Sequence, residues 1–200
     1  MSSIFKKFSL LLCGFLVSLN VHAAAKDDLK ARLNAFNEFS ADFTQTVIDK
    51  NGKNVMSASG TLTLKKPTDF MLHTLDPDEQ VLFTRGNDIY FYDAFVNQVS
   101  IFNRSELNSS PFILLSDMSE RAWKNYTVTY TNGAFIVTPQ GSSDIENLRL
   151  TFQRNDLDVI ALKMKDGNTN SYKLSNKRHT ADPKVFNYTI PEDAEVDDER

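Results

Sequence analysis

The side chains best suited to acid–base or metal chemistry are two histidines, His73 and His179, which lie far apart in the chain. Asp76, Asp78 and Glu79 follow His73, but they lie on a proline-containing turn, and no second histidine stands at metal-ligand spacing. The sequence contains neither a G-x-S-x-G nucleophile motif nor a glycine-rich phosphate loop. We therefore predict a binding or carrier protein that is not an enzyme and uses no metal or cofactor. A hydrolase that pairs a serine with one of the two histidines is the alternative of another class.

The first 23 residues have the layout of a secretory signal peptide. Two lysines give a basic start, and Leu10–Leu19 is an apolar run far shorter than the roughly 20 residues that span a bilayer. Val21-His22-Ala23 fits the recognition site of a signal peptidase. We predict that residues 1–23 are removed after Ala23 and that residues 24–200 form one domain.

The exported chain would contain no cysteine. Cys13 lies within the apolar run with Leu12 before it, which does not fit lipid attachment. Without disulfides, the domain must be held together in an oxidising compartment by packing alone. It would carry 20 basic and 26 acidic residues, a formal charge of −6. This charge argues against nucleic acids and anionic membrane surfaces as partners.

A change of hydrophobic period separates one helix from a long series of strands. Leu29, Leu33 and Phe36 recur at helical spacing and predict an amphipathic helix from Asp27 to about Asn37. Beyond it the period becomes two, which predicts about eleven short antiparallel strands joined by turns such as Asn51-Gly52 and Asn132-Gly133. The segments with this period, twelve in all, lie at 41–47, 56–64, 69–75, 80–84, 89–92, 99–102, 126–130, 135–138, 147–152, 159–165, 171–174 and 185–190.

The strand pattern is interrupted between Arg104 and Asn125. Ser110 followed by Pro111 is typical of a helix start and predicts a helix from Pro111 to about Met118, with a second at 119–124. A sheet of this length curls, and its apolar face is covered either by closing into a barrel or by a plug. Phe112–Leu115 is apolar on every side of a helix, so we expect this segment to lie across the concave face.

Five segments, in their order and spacing, resemble the periplasmic outer-membrane lipoprotein carrier (LolA) family over essentially the full chain. They are Asp28–Val47, Gly60–Phe70, Pro77–Val99, Ser110–Leu115 and Phe186–Asp198. The second contains G-T-L-T-L-K-K-P-T-D-F, which is similar to the family's G-x-L-x-x-K-R-P-x-x-F stretch.

The resemblance implies a mainly β fold, an unclosed antiparallel β-barrel with a helical lid and an N-terminal helix over a hydrophobic cavity. It also implies a monomeric periplasmic chaperone that accepts acylated lipoproteins from the inner-membrane ATP-binding-cassette exporter LolCDE. The chaperone would deliver them to the outer-membrane receptor LolB. A related lipid- or lipoprotein-binding envelope protein of the same fold is the alternative.

The motif matches also place residues in the site. The family's arginine before the proline is implicated in holding the lid shut through bonds to lid carbonyls, and Lys66 stands in its place here. Lysine can donate to carbonyls but has no planar fork, and an exposed lysine at a strand end is the alternative for Lys66. The residues expected to line the cavity and lid are Leu33, Phe36, Phe39, Phe43, Phe70, Leu72, Phe112 and Leu115.

Overall fold

One unclosed sheet of twelve strands forms the body of the protein in a computed structural model, which describes residues 17–103, 111–141 and 143–200. The strand order is β12-β6-β5-β4-β3-β2-β1-β11-β10-β9-β8-β7, so β12 and β7 are the two edges. The strands are β1 Glu38–Ile48, β2 Asn54–Lys65, β3 Asp69–Asp76, β4 Gln80–Arg85, β5 Asp88–Asp93, β6 Gln98–Asn103, β7 Tyr126–Thr131, β8 Ala134–Pro139, β9 Ile145–Gln153, β10 Asp156–Met164, β11 Thr169–Arg178 and β12 Glu195–Asp198.

Hairpins build the antiparallel part of the sheet, and their turns lie where the sequence predicts them. Asn132 and Gly133 both have positive φ, as a two-residue type I′ turn requires. Between β2 and β3 the backbones approach so closely that only glycine fits at position 60. A Cβ there would collide with the carbonyl oxygen of His73 and lie 2.8 Å from the Cα of Thr74. This contact explains the glycine that opens the G-T-L-T-L-K-K-P stretch.

Helix α1, Val17–Asn34, extends further towards the N-terminus than the predicted 27–37 and ends three residues earlier. Its Leu29 and Leu33, one turn apart, are fully buried against the sheet. Among the described residues, three short helical segments follow later in the chain: a 3-10 helix at Pro111–Leu115, which we call the lid segment, α2 at Glu120–Trp123, and a 3-10 helix at Pro183–Phe186.

The prediction of a two- or three-turn helix over 111–118 is wrong. The lid segment is a 3-10 helix of five residues, less than two turns, and α2 follows it. Ser119 caps α2 from extended backbone, with φ −64° and ψ 145°, and its hydroxyl accepts a hydrogen bond from the backbone N–H of Ala122 at 3.2 Å. The Asp117 carboxylate accepts a 2.9 Å hydrogen bond from the backbone N–H of Ser119, a local bond that competes with helix geometry, so the first helix ends before Met118, while α2 lies within the second predicted helix.

The prediction of a strand at 185–190 is also wrong. After the 3-10 helix at Pro183–Phe186, the chain pairs with the sheet only at β12, which runs parallel to β6. Phe186, Tyr188 and Ile190 instead pack on a second hydrophobic cluster on β3–β6, on the face opposite the main core. An extended chain laid flat on a sheet shows the same period of two as a strand, because alternate side chains face the surface.

Candidate functional site

One buried apolar cluster contains all eight residues predicted to line a cavity. It joins α1 and the lid segment to one face of the sheet. Leu33, Phe39 and Leu115 are completely buried, and the largest exposure among the other five is 8%, at Leu72. The structure therefore brings these residues together, and their contact with lipid stays a prediction. The cluster also contains Trp123, Tyr126 and Tyr172, which the sequence analysis did not single out. It contains Leu29 and Leu114 as well, which that analysis placed on the helix and in the lid segment but not among the cavity residues. A lone tryptophan and the alternation within β11 were the available signals.

The lid segment lies over the middle of the sheet, where it contacts β3 and β11, two strands that are separated by β2 and β1. The ring of Phe112 lies 6.0 Å from that of Phe70 on β3 and 5.4 Å, edge-on, from that of Tyr172 on β11. Leu114 and Leu115 are buried below it. Burial raises the pKa of Tyr172 to about 12, so its hydroxyl stays neutral. Phe112 thus contacts two strands at once, and Leu114 and Leu115 belong to the same apolar cluster.

Helix α1 and α2 form a continuous cover together with the lid segment. The Lys26 ammonium group on α1 donates hydrogen bonds to the carbonyl oxygens of Trp123 at 2.7 Å and Tyr126 at 3.1 Å. Lys30, one turn later, pairs with Glu120 and lies 5.9 Å from the centre of the Trp123 ring. These polar contacts at the rim can be exchanged for water, whereas the apolar face of the cover needs an apolar partner.

Lys66 holds the C-terminal end of α1. Its ammonium group donates to the carbonyl oxygens of Leu33 and Phe36, the latter at 2.7 Å, and lies 4.5 Å from the centre of the Phe36 ring. The last carbonyls of a helix have no partner within the helix and carry its negative dipole end, so a cation is favoured there. Burial lowers the pKa of Lys66 to about 8, so the side chain is still mostly an ammonium group at pH 7.

This position differs from the predicted one. The sequence places Lys66 at the carbonyls of the lid segment, and the structure places it at the end of α1 instead. Lys66 directly follows β2, whose antiparallel pairing with β1 brings Lys65 opposite Glu38, close to the end of α1. The register of the β1–β2 pairing therefore places the ammonium group of Lys66 beside the end of α1. Lys66 is partly buried, which does not fit the alternative of an exposed lysine at a strand end.

His73 and His179 each pair with a carboxylate. Nε2 of His73 lies 2.8 Å from Glu79 Oε1, which also accepts a 3.3 Å hydrogen bond from the Tyr188 hydroxyl. Nε2 of His179 lies 2.8 Å from Asp156 Oδ1. Within residues 17–103, 111–141 and 143–200, no group of three or more His, Cys, Asp and Glu side chains is arranged to hold a metal ion. None of the helices in these ranges has the length and apolar character to span a membrane.

An open pocket of about 460 Å³ lies at the junction of α1 and β1. It is lined by Ala35, Phe36, Asn37, Glu38 and His179. The His179 ring stacks on Phe36 with centres 5.8 Å apart. The pocket therefore borders both the apolar cluster and the Lys66 contact, since Phe36 belongs to all three.

Comparisons with known proteins agree with this architecture. The family model described as "Outer membrane lipoprotein carrier protein LolA" matches residues 34–189. Proteins named outer-membrane lipoprotein carrier protein are 33% identical in Shewanella sediminis, covering 92% of this chain and 91% of that protein, and 35% identical in Haemophilus influenzae, covering 89% of each. A crystal structure of an uncharacterized conserved protein from Thermus thermophilus has a TM-score of 0.52 at 10% identity, over 88% of this chain and 99% of that one. This likeness shows the fold alone.

Proposed function

This chain belongs to the LolA family of outer-membrane lipoprotein carrier proteins, and we propose that it carries acylated lipoproteins from the exporter LolCDE to the receptor LolB. The protein is a lipoprotein carrier and not an enzyme, and proteins of this family are periplasmic. The observation that supports the proposal best is the buried apolar cluster whose cover, α1 with the lid segment and α2, is held by polar contacts at its rim.

A carrier is needed because acyl chains leave membranes reluctantly. Burial of each methylene is worth about 0.8 kcal/mol, so ten methylenes amount to roughly 8 kcal/mol. A protein that removes such a chain must offer a comparable apolar surface and must later release it. In the closed structure this surface is filled by side chains of the protein itself, such as Phe112 and Leu115. When the cover moves, acyl chains take the place of those side chains, and the exchange of similar surfaces keeps the process reversible.

The decisive experiment uses inner-membrane vesicles that contain the exporter and a labelled lipoprotein. With ATP and this protein, we expect a soluble complex of carrier and lipoprotein, and subsequent addition of purified receptor should empty the carrier. Omission of ATP serves as the control for spontaneous extraction. A lipoprotein that stays in the vesicles under both conditions would refute the proposal. It would then favour the alternative, an envelope protein of the same fold that binds lipid without carrying it.

Export with removal of residues 1–23 is part of the same proposal. The contacts of α1 described above come from residues 25–36, so a chain that begins at Ala24 retains Lys26, Leu29, Lys30 and Leu33. Intact mass and N-terminal sequencing of the periplasmic protein should show a start at Ala24. Ala23→Arg, which places a large charged residue at the cleavage site, should leave the precursor uncut. A mature protein that retains Cys13 would contradict the prediction.

A further inference from the structure

The pocket at the α1–β1 junction is polar where the neighbouring core is apolar. Its volume of about 460 Å³ lies within the range of binding pockets. A pocket of this volume can hold a short peptide segment. Its opening to solvent would let such a peptide continue outward.

Phe36 forms the wall between this pocket and the core. Its side chain is 6% exposed and belongs to the apolar cluster, and the same side chain lines the pocket. The ring is flanked by the Lys66 ammonium group at 4.5 Å and the His179 ring at 5.8 Å, and it lies 5.2 Å from Phe39 deeper in the core. Movement of the α1 end that Lys66 holds would therefore join the pocket to the core.

The polar groups around the pocket suit a peptide backbone. Asn37 is exposed, and its carboxamide, both donor and acceptor, makes no hydrogen bond to any residue that the structure describes. Its neighbour Glu38 is already engaged, since one carboxylate oxygen accepts a 3.1 Å hydrogen bond from the Ala181 N–H and the other lies 3.4 Å from Lys65 Nζ. His179 is held by Asp156. The pocket thus has a fixed rim and one uncommitted amide group.

An acylated lipoprotein changes from apolar to polar within a few atoms. Its acyl chains belong in the core, but peptide groups that followed them there would lose their hydrogen bonds to water at considerable cost. The boundary at Phe36 is where the protein makes the same change. We propose that the α1–β1 pocket binds the first peptide residues after the acylated terminus of the cargo. This inference rests on the proposed carrier function.

Binding in the pocket can be distinguished from binding in the core with two ligands. One is a diacylated cysteine amide without a peptide, and the other is the same acylated cysteine extended by five residues. Ala35→Trp places an indole in the pocket from an exposed position just beyond α1. The matched control is Ala31→Trp, which adds the same side chain at an exposed position of α1 that does not line the pocket. Binding is measured by displacement of an apolar dye.

We expect the wild type to bind the acylated peptide more tightly than the acylated cysteine. Ala35→Trp should weaken the binding of the acylated peptide by about tenfold and leave the binding of the acylated cysteine unchanged. Ala31→Trp should change neither. If Ala35→Trp weakens the binding of both ligands equally, or of neither, the pocket does not bind the peptide residues of the cargo and the inference is wrong. The proposed carrier function is not affected by that result. If neither ligand binds the wild type, the proposed function itself fails.

Photocrosslinking gives a second measurement that does not depend on filling the pocket. His179→p-benzoylphenylalanine should crosslink to the peptide part of a bound lipoprotein. Phe95→p-benzoylphenylalanine should not, because Phe95 is 79% exposed in the turn between β5 and β6, and β4, β3 and β2 lie between β5 and β1. Crosslinks from position 95 but none from position 179 would overturn the assignment.

Discussion

Leu115→Glu is expected to abolish the release of lipoproteins from membranes. Leu115 is completely buried between the cover and the sheet. A carboxylate there would be shielded from solvent, and burying an unpaired charge costs several kcal/mol, so the lid segment would be displaced or the site would not bind acyl chains. The β-sheet signal in circular dichroism should remain largely intact, because the twelve strands are held by their own backbone ladders.

The control for this change is Leu115→Met, which nearly conserves volume and should release lipoproteins like the wild type. Tyr130→Glu adds the same charge on β7 at a side chain that is 56% exposed, and it should also be active. The measurement is the amount of soluble complex formed from vesicles with ATP, together with dye binding to the empty protein. Normal release by Leu115→Glu would place Leu115 outside the lipid path.

Lys66→Leu is expected to uncouple uptake from delivery. Each hydrogen bond from the ammonium group to the Leu33 and Phe36 carbonyls contributes about 1.5–3 kcal/mol to the closed state. The work of opening is subtracted from the apparent affinity for lipid, so loss of these bonds should make the carrier hold its cargo more tightly. Uptake from membranes should equal or exceed that of the wild type, and transfer to the receptor should fall by at least about tenfold, the factor that a loss of about 1.4 kcal/mol gives.

Two substitutions test whether the effect comes from the contact between the Lys66 ammonium group and the end of α1. Lys66→Arg should transfer at least as well as the wild type, because a planar guanidinium can donate to both carbonyls at once. Lys65→Leu removes the neighbouring charge. Lys65 forms a 3.4 Å ion pair with Glu38, but both side chains are about one third exposed, so the pair contributes little to stability. The substitution should therefore leave transfer unchanged. If Lys66→Leu hands over a preloaded lipoprotein as fast as the wild type, the contact with α1 only caps a helix.

The local pattern of the sequence determined most of the strands and turns and the apolar part of the site. A period of two marks extended chain, and Asn51-Gly52 and Asn132-Gly133 mark tight turns, because these signals depend on a few neighbouring residues. The resemblance to the carrier family then pointed to eight side chains that the structure places in one core. Such residues are predictable because burial of large apolar groups dominates folding and leaves a pattern in the chain.

Only the tertiary structure decided which partners the polar groups meet. The period of two at 185–190 could not show whether that segment pairs as a strand or lies flat on the sheet, since both conformations alternate in the same way. Lys66 reaches α1 and not the lid segment because the register of β1 and β2 carries it to a residue 33 positions away in the chain. The pocket beside Phe36 likewise joins the end of α1 to His179. Hydrogen bonds and ion pairs are short-ranged and directional, so their partners follow from how the sheet is assembled, which no local pattern records.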